Sequence, residues 1–209
     1  MEPDFWHARW SEGRTAFHEG KPNEHLVKHL AVLGKDTRVF VPLCGKAEDL
    51  AFLAEQGHQV VGVELVESAV RAFFDEHGVT PVVTKHGPFN RYTAQNITLL
   101  VGDFFATTRE LLGPVDSLYD RAAVIALPAQ TRGAYVKHLR TLMPVGAPGL
   151  IITVEYPQEK MDGPPFSVPE AELRAHYSGL TLDRVAEVKA EGPRLTPLNA
   201  AEKGFVARF

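Results

Sequence analysis

The chain of 209 residues holds one cysteine, Cys44, so no disulfide can form within it. Positive charge is not in surplus: 22 lysines and arginines stand against 26 acids, a formal net charge of −4. The basic residues form no run either. That argues against nucleic acid as a partner, because neutralising a phosphate backbone needs a concentrated cationic face. Long apolar stretches are missing, and Met1-Glu2-Pro3-Asp4 opens neither a secretory leader nor a membrane span. A cytoplasmic protein that meets neither membrane nor nucleic acid is expected. His25 and His29 stand four apart, but without an HExxH pattern they read as a solvated helix face, and no metal is expected. No segment repeats and no linker divides the chain. With 44% hydrophobic and 23% charged residues, the composition is that of a globular protein, and a single domain over residues 1–209 is expected.

The chain is organised around Arg38 to Leu65. An apolar run, Val39 to Leu43, ends in Cys44-Gly45-Lys46. A helical pattern with Leu50, Phe52 and Leu53 inward halts at Gly57, and a second apolar run ends on Glu64. Strand, glycine turn, helix, strand and terminal acid make half of a nucleotide-binding crossover. Glycine lets backbone approach a ligand, and an acid at the second strand's tip can accept both hydrogen bonds of a ribose diol. The turn supplies one glycine where GxGxxG needs three, which disfavours a pyrophosphate-bearing cofactor. Lys46 is followed by Ala47, so the turn is not a phosphate-binding P-loop either. S-adenosylmethionine carries no phosphate and needs only the close approach and the ribose acid.

Alternation continues downstream. Val66–His77 reads as a helix, Ile97–Val101 as a strand ending in Gly102-Asp103-Phe104-Phe105, and Val115–Tyr119 as a strand ending in Asp120-Arg121. Pro128–Leu142 reads as a helix and Leu150–Tyr156 as a strand, with Val168–Tyr177 helical, Leu180–Val188 extended and Gly204–Phe209 a closing edge strand. Pro81–Asn96 is less regular, with His86-Gly87-Pro88 as a turn and short extended pieces around it. Such alternation predicts right-handed crossovers and a doubly wound α/β sheet with its ligand at the carboxyl edge, where the charged or glycine tips fall. Residues 1–35 precede this core (36–209), with Trp6 and Trp10 on one helix face and Asn23 capping a helix over Glu24–Leu33. They read as a helical pair packed on the sheet or as an aromatic lid. Asp103 reads as a helix cap or as an acceptor for an adenine amino group, with Phe104 placed to stack on the ring. Arg121 reads as an ion-pair partner of Asp120 or as a fork-shaped donor to an anionic acceptor. Cys44 reads as packing rather than a nucleophile.

Taken in order, Phe5-Trp6 through Trp10, Gly13 through Phe17-His18, PLCGK (42–46), GVEL (62–65), GDFF (102–105), DRAA (120–123) and GPPF (163–166) resemble the thiopurine S-methyltransferase family over roughly residues 4–178. The resemblance implies a seven-stranded, mostly parallel class I methyltransferase fold that uses S-adenosylmethionine. It further implies that Trp6, Trp10, Leu43, Gly45, Glu64, Asp103 and Phe104 contact the cofactor. Arg121 would reach the cofactor carboxylate or a small thiol substrate and serve catalysis, while Phe17 and Arg194 would face the substrate. A monomer acting on a thiopurine or aromatic thiol by in-line displacement is the expected activity. The alternatives are methylation of selenite, tellurite derivatives, halide or thiocyanate, or a nucleoside-binding regulator without turnover.

Overall fold

The structure is a computed structural model that describes residues 3–13 and 20–209. In chain order its helices and strands are α1 (Pro3–Ser11), α2 (Glu24–His29), β1 (Arg38–Pro42), α3 (Glu48–Glu55), β2 (Gln59–Glu64), α4 (Glu67–Glu76), β3 (Val82–His86), β4 (Phe89–Ala94), β5 (Ile97–Val101), α5 (Arg109–Leu112), β6 (Ser117–Arg121), α6 (Ala129–Leu142), β7 (Pro148–Glu155), α7 (Glu170–His176), β8 (Thr181–Lys189) and β9 (Ala201–Arg208). The nine strands form one sheet in the order β3-β4-β5-β2-β1-β6-β7-β9-β8. From β5 to β7 every neighbouring pair is parallel, which is the expected doubly wound core.

Two of the sequence expectations need correction here. The sheet has nine strands rather than seven, because the segment Pro81–Asn96 is a regular antiparallel hairpin, β3–β4, added beside β5. His86-Gly87-Pro88 is its turn, with Gly87 at φ +57; the alternation was hidden because β3 buries almost nothing. The closing strand is not an edge strand. It spans eight residues and lies between β7 and β8, antiparallel to both, leaving β8 at the edge.

Alternating side chains send the strands' apolar residues to two cores. On one face Phe40, Val61, Leu118 and Ile151 pack with Tyr135, Val136 and Leu139 of α6 and Leu173 of α7. On the other, Val39, Val41, Val60 and Leu150 pack with Leu26 of α2, Leu50 and Leu53 of α3, and Val70, Phe73 and Phe74 of α4. Burying each such aliphatic or aromatic side chain contributes about 1.5–3 kcal/mol. Gly62 sits where a Cβ would lie 2.7 Å from both Cys44 Sγ and Leu99 Cδ2, so β2 passes its neighbours only because no side chain is there.

Asn23 caps α2 as expected, its side chain accepting from His25 N, and the helix tightens into a 3₁₀ turn over Leu30–Leu33. His25 is not solvated. It is buried, with Nε2 3.1 Å from Glu202 of β9, so its side of α2 is a packing surface against the sheet.

Candidate active site

At the carboxyl edge of the parallel strands the chain encloses a cavity of about 310 Å³. Its wall is built by the turn after β1 (Leu43 to Ala47), the tip of β2 (Glu64), the 3₁₀ turn after β5 (Asp103 to Phe105), the tip of β6 (Arg121, Ala122), Tyr135 of α6, and the two tryptophans of α1. Pro164 and Pro165 of the GPPF motif close another side. Eight positions singled out in the sequence thus meet on one cavity: Trp6, Trp10, Leu43, Gly45, Glu64, Asp103, Phe104 and Arg121. Arg194 does not line it; its Nη1 donates to the Pro164 carbonyl at 2.8 Å, behind the wall. Phe17 lies outside the described residues.

Glu64 is the fixed point of the site. Its Oε2 accepts from Gly45 N and its Oε1 from Val66 N, both at 2.8 Å, so the carboxylate is oriented by the loops after β1 and β2. It is 7% exposed. Burial raises its pKa, and the backbone hydrogen bonds from Val66 and Gly45 oppose that rise. Two carboxylate oxygens carry four lone pairs, more than these amides use, so acceptor capacity remains for a ligand. Gly45, at φ +54, is the close approach: a Cβ there would meet Trp10 Cζ2 at 3.4 Å.

Cys44 beside it is buried. Desolvation first, and the charge of Glu64 second, push its thiol well above the ordinary range, so it stays a neutral packing group. Asp103 caps the 3₁₀ turn by accepting from Phe105 N at 2.9 Å and still lines the cavity, so cap and ligand acceptor are compatible roles. Phe104 is buried against Tyr135 and His138, while Phe105, 47% exposed, also lines the cavity.

The reading of Asp120 and Arg121 as an ion pair is not what the structure shows. Asp120 turns inward, accepting from Tyr135 Oη at 2.7 Å and from Val124 N at 3.1 Å, and burial raises its pKa to about 6. Arg121 faces the cavity with Nη1 3.9 Å from Oδ2 of Asp49 on α3. Asp49 is buried and also accepts from Asn23 N at 2.7 Å and from Tyr119 Oη at 3.2 Å. It therefore links α2, α3 and β6 behind the Arg121 guanidinium. Sequence reasoning passed over Asp49, because an acid in the first turn of a helix is an ordinary complement to the helix dipole.

A second feature had no signal in the residue types. Leu43 (φ +47) and Ala122 (φ +61) adopt left-handed backbone conformations that glycine or asparagine usually occupies, and both line the cavity. Such residues cost on the order of 1–3 kcal/mol each and persist where the surrounding structure over-determines them. Here they turn the chain immediately after β1 and after Arg121.

The donors and acceptors suit a phosphate-free nucleoside. The cavity offers a buried carboxylate with spare lone pairs, a glycine approach, aromatic and aliphatic walls, and one guanidinium. Among the described residues no three histidine, cysteine or acidic side chains gather to hold a metal.

Comparison with known proteins agrees. A family model described as thiopurine S-methyltransferase (TPMT) matches residues 1–202. The thiopurine S-methyltransferase of Pseudomonas aeruginosa (strain UCBPP-PA14) is 49% identical over 181 residues, covering 86% of this chain and 83% of the relative. That of Pseudomonas entomophila is 43% identical over 198 residues, covering 93% and 92%. Among solved structures, the Burkholderia thailandensis 1,6-didemethyltoxoflavin-N1-methyltransferase with bound 1,6-didemethyltoxoflavin and S-adenosylhomocysteine superposes with a TM-score of 0.64 at 19% identity, covering 99% of this chain and 86% of that one. At that identity the likeness concerns the fold.

Proposed function

This chain belongs to the thiopurine S-methyltransferase family, whose members are S-adenosylmethionine-dependent methyltransferases, and on that premise we propose that its acceptor is a small thiol of the thiopurine or aromatic type. The observation that carries the acceptor assignment is Arg121: a guanidinium 11% exposed, backed by Asp49, on a cavity whose other walls are largely carbon. Such walls suit a flat aromatic acceptor, and the guanidinium suits the thiolate it must become, the other lining cation, Lys46, being held by Glu76.

Glu64 would hold the ribose diol, supported by its remaining acceptor capacity and its fixed orientation. Asp103 and Phe104 would receive the adenine, and Trp6, Trp10, Leu43 and Gly45 would close around the cofactor. When bound, the cofactor supplies a methyl group already activated by a sulfonium centre. The chain's own residues have three tasks. Arg121 favours the deprotonated acceptor electrostatically, so no strong general base is needed. The tryptophans, Pro164 and Pro165 exclude water. The strand tips and turns fix the approach of the two reactants, which can contribute about 7–11 kcal/mol where alignment is good. The reading includes a single domain, supported by length and composition, acting as a monomer in the cytoplasm. No helix among the described residues is long and apolar enough to cross a membrane.

The test is release of S-adenosylhomocysteine by purified protein given 6-mercaptopurine, a simple aryl thiol, selenite, thiocyanate or no acceptor. Turnover on the thiopurine or the aryl thiol supports the proposal. Turnover confined to selenite or thiocyanate replaces the acceptor class, and cofactor binding with no transfer to any acceptor replaces the enzyme by a binding protein.

A further inference from the structure

A second cleft, of about 360 Å³, lies where the β3–β4 hairpin extends the sheet beside α5, away from the first cavity. Its polar side chains are Arg38, Thr84, His86, Arg91, Thr93 and Thr98, and no carboxylate among the described residues lines it. Register explains the grouping: Thr84 pairs with Arg91, and Thr93 pairs with Thr98, so one face of three strands carries donors side by side.

These donors are only partly used. Arg38 Nη2 donates to the Leu112 carbonyl at 3.1 Å, and His86 Nε2 lies 2.9 Å from the Leu111 carbonyl. The Nε of Arg38 and the Nε of Arg91 are buried and have no acceptor among the described residues. Arg91 forms no ion pair with any described residue, and Arg38 none closer than the through-space charge of Asp116, whose Oδ2 accepts from the Arg38 main-chain N–H. Several cations elsewhere are paired with acids, as in Arg71–Glu67, Arg132–Glu172, Arg174–Glu170 and Lys203–Glu155. In a protein of net charge −4, a cleft with two guanidiniums and no acid is a local departure. Buried N–H donors without acceptors cost free energy, which an acceptor from outside would recover.

We propose that this cleft binds a phosphate group. Guanidinium forks match a tetrahedral oxyanion in geometry and charge, and threonine hydroxyls can complete its hydrogen bonds. Val61, Val82 and Leu100 form an apolar part of the wall, so the group can belong to a small phosphate monoester as well as to free phosphate.

The test is thermal unfolding and calorimetric titration of the intact protein with inorganic phosphate and with glycerol 3-phosphate, against sodium chloride at matched ionic strength. All samples are saturated with S-adenosylhomocysteine so that the first cavity is filled. The expected result is a saturable rise in Tm with phosphate beyond that with chloride, and an affinity at least about tenfold weaker in Arg91→Gln, the loss of one charge-assisted hydrogen bond. The Arg91 side chain makes no hydrogen bond among the described residues, so this variant should fold even if Arg38→Gln, which loses the tie to Leu112, does not. Tighter binding of glycerol 3-phosphate than of phosphate assigns the site to a monoester, and equal binding assigns it to the free ion. Equal responses to phosphate and chloride, or equal responses of wild type and Arg91→Gln, would overturn the site and leave the arginines as solubilising cover for the sheet face.

Discussion

Replacing Glu64 by Gln tests the ribose assignment with the least change in shape. The carboxylate accepts two backbone amides at 2.8 Å, one on each oxygen. An amide has one oxygen, so its NH₂ must face either Gly45 N–H or Val66 N–H, donor against donor. One buried hydrogen bond is lost and one N–H is stranded, a stability cost of about 1–3 kcal/mol. Removing a buried charge partly offsets this, since burial already raises the Glu64 pKa. Toward the ligand, the variant also loses a charged acceptor for one hydroxyl of the diol. Hydrogen bonds to charged groups contribute about 1.5–3 kcal/mol, so the Kd for S-adenosylhomocysteine should weaken about 10- to 150-fold. Turnover at saturating cofactor should change far less, because Glu64 is at the nucleoside end of the proposed site. Calorimetric titration alongside thermal melts separates the two effects. A folded variant whose Kd moves less than about threefold would refute the reasoning.

Arg121→Ala should reduce turnover on thiols by about 10–100-fold at neutral pH, as expected for loss of one charged contact, while leaving cofactor affinity nearly intact; raising the pH should restore part of the rate by ionising the acceptor in solution, and parallel losses in rate and cofactor affinity would contradict the role. Asp49→Asn should weaken the hold on Arg121 and raise KM for the acceptor more than it changes the Kd for S-adenosylhomocysteine, and an unchanged KM would remove Asp49 from the site's support. Asp120 carries a raised pKa, about 6 against the ordinary 3.8, so the native state favours its proton and stability falls as pH rises from about 4 to 6, by about 3 kcal/mol, then levels off. Asp120→Asn, which can still bond Tyr135 and Val124, should flatten that slope in melts across pH, whereas an offset equal at every pH would count against the assignment. Gly62→Ala places a Cβ 2.7 Å from Cys44 Sγ and Leu99 Cδ2 and should destabilise by about 1–3 kcal/mol in chemical denaturation; a neutral result would mean that β2 and its neighbours shift easily.

The parallel core was legible because its strands are apolar runs that stop at glycine or acid, and its helices carry a 3.6-residue period into Gly57, Gly78 and Gly113. The β3–β4 hairpin was legible only at its turn, His86-Gly87-Pro88, and as short extended pieces, since β3 exposes Val82 and Val83 and shows no buried alternation to read. The position of β9 was hidden for a different reason: pairing between β7 and β8 is a matter of sheet order, and local pattern carries no information on it. Of the site, the residues whose types announce chemistry, Glu64, Asp103 and Arg121, fall on one cavity together with the tryptophans. Asp49 and the left-handed Leu43 and Ala122 went unseen, the first because its role lies in what it touches across the fold, the others because no side-chain preference marks their backbone. The Asp120–Arg121 pair misled for the opposite reason, as neighbours along a strand point to opposite faces of the sheet.

The place of β9 bears on how the chain acquires its structure during synthesis. Every other strand precedes it, yet it supplies the hydrogen-bonding partner along both β7 and β8. As the polypeptide emerges from the ribosome, the parallel core through β7 can assemble first, while β8 has no place in the sheet. Until residues 201–208 arrive, β7 presents an open row of amides and carbonyls, the kind of edge that recruits strands from other molecules. A nascent or C-terminally clipped form would therefore be the aggregation-prone species of this protein, and a holding chaperone should engage it in that window.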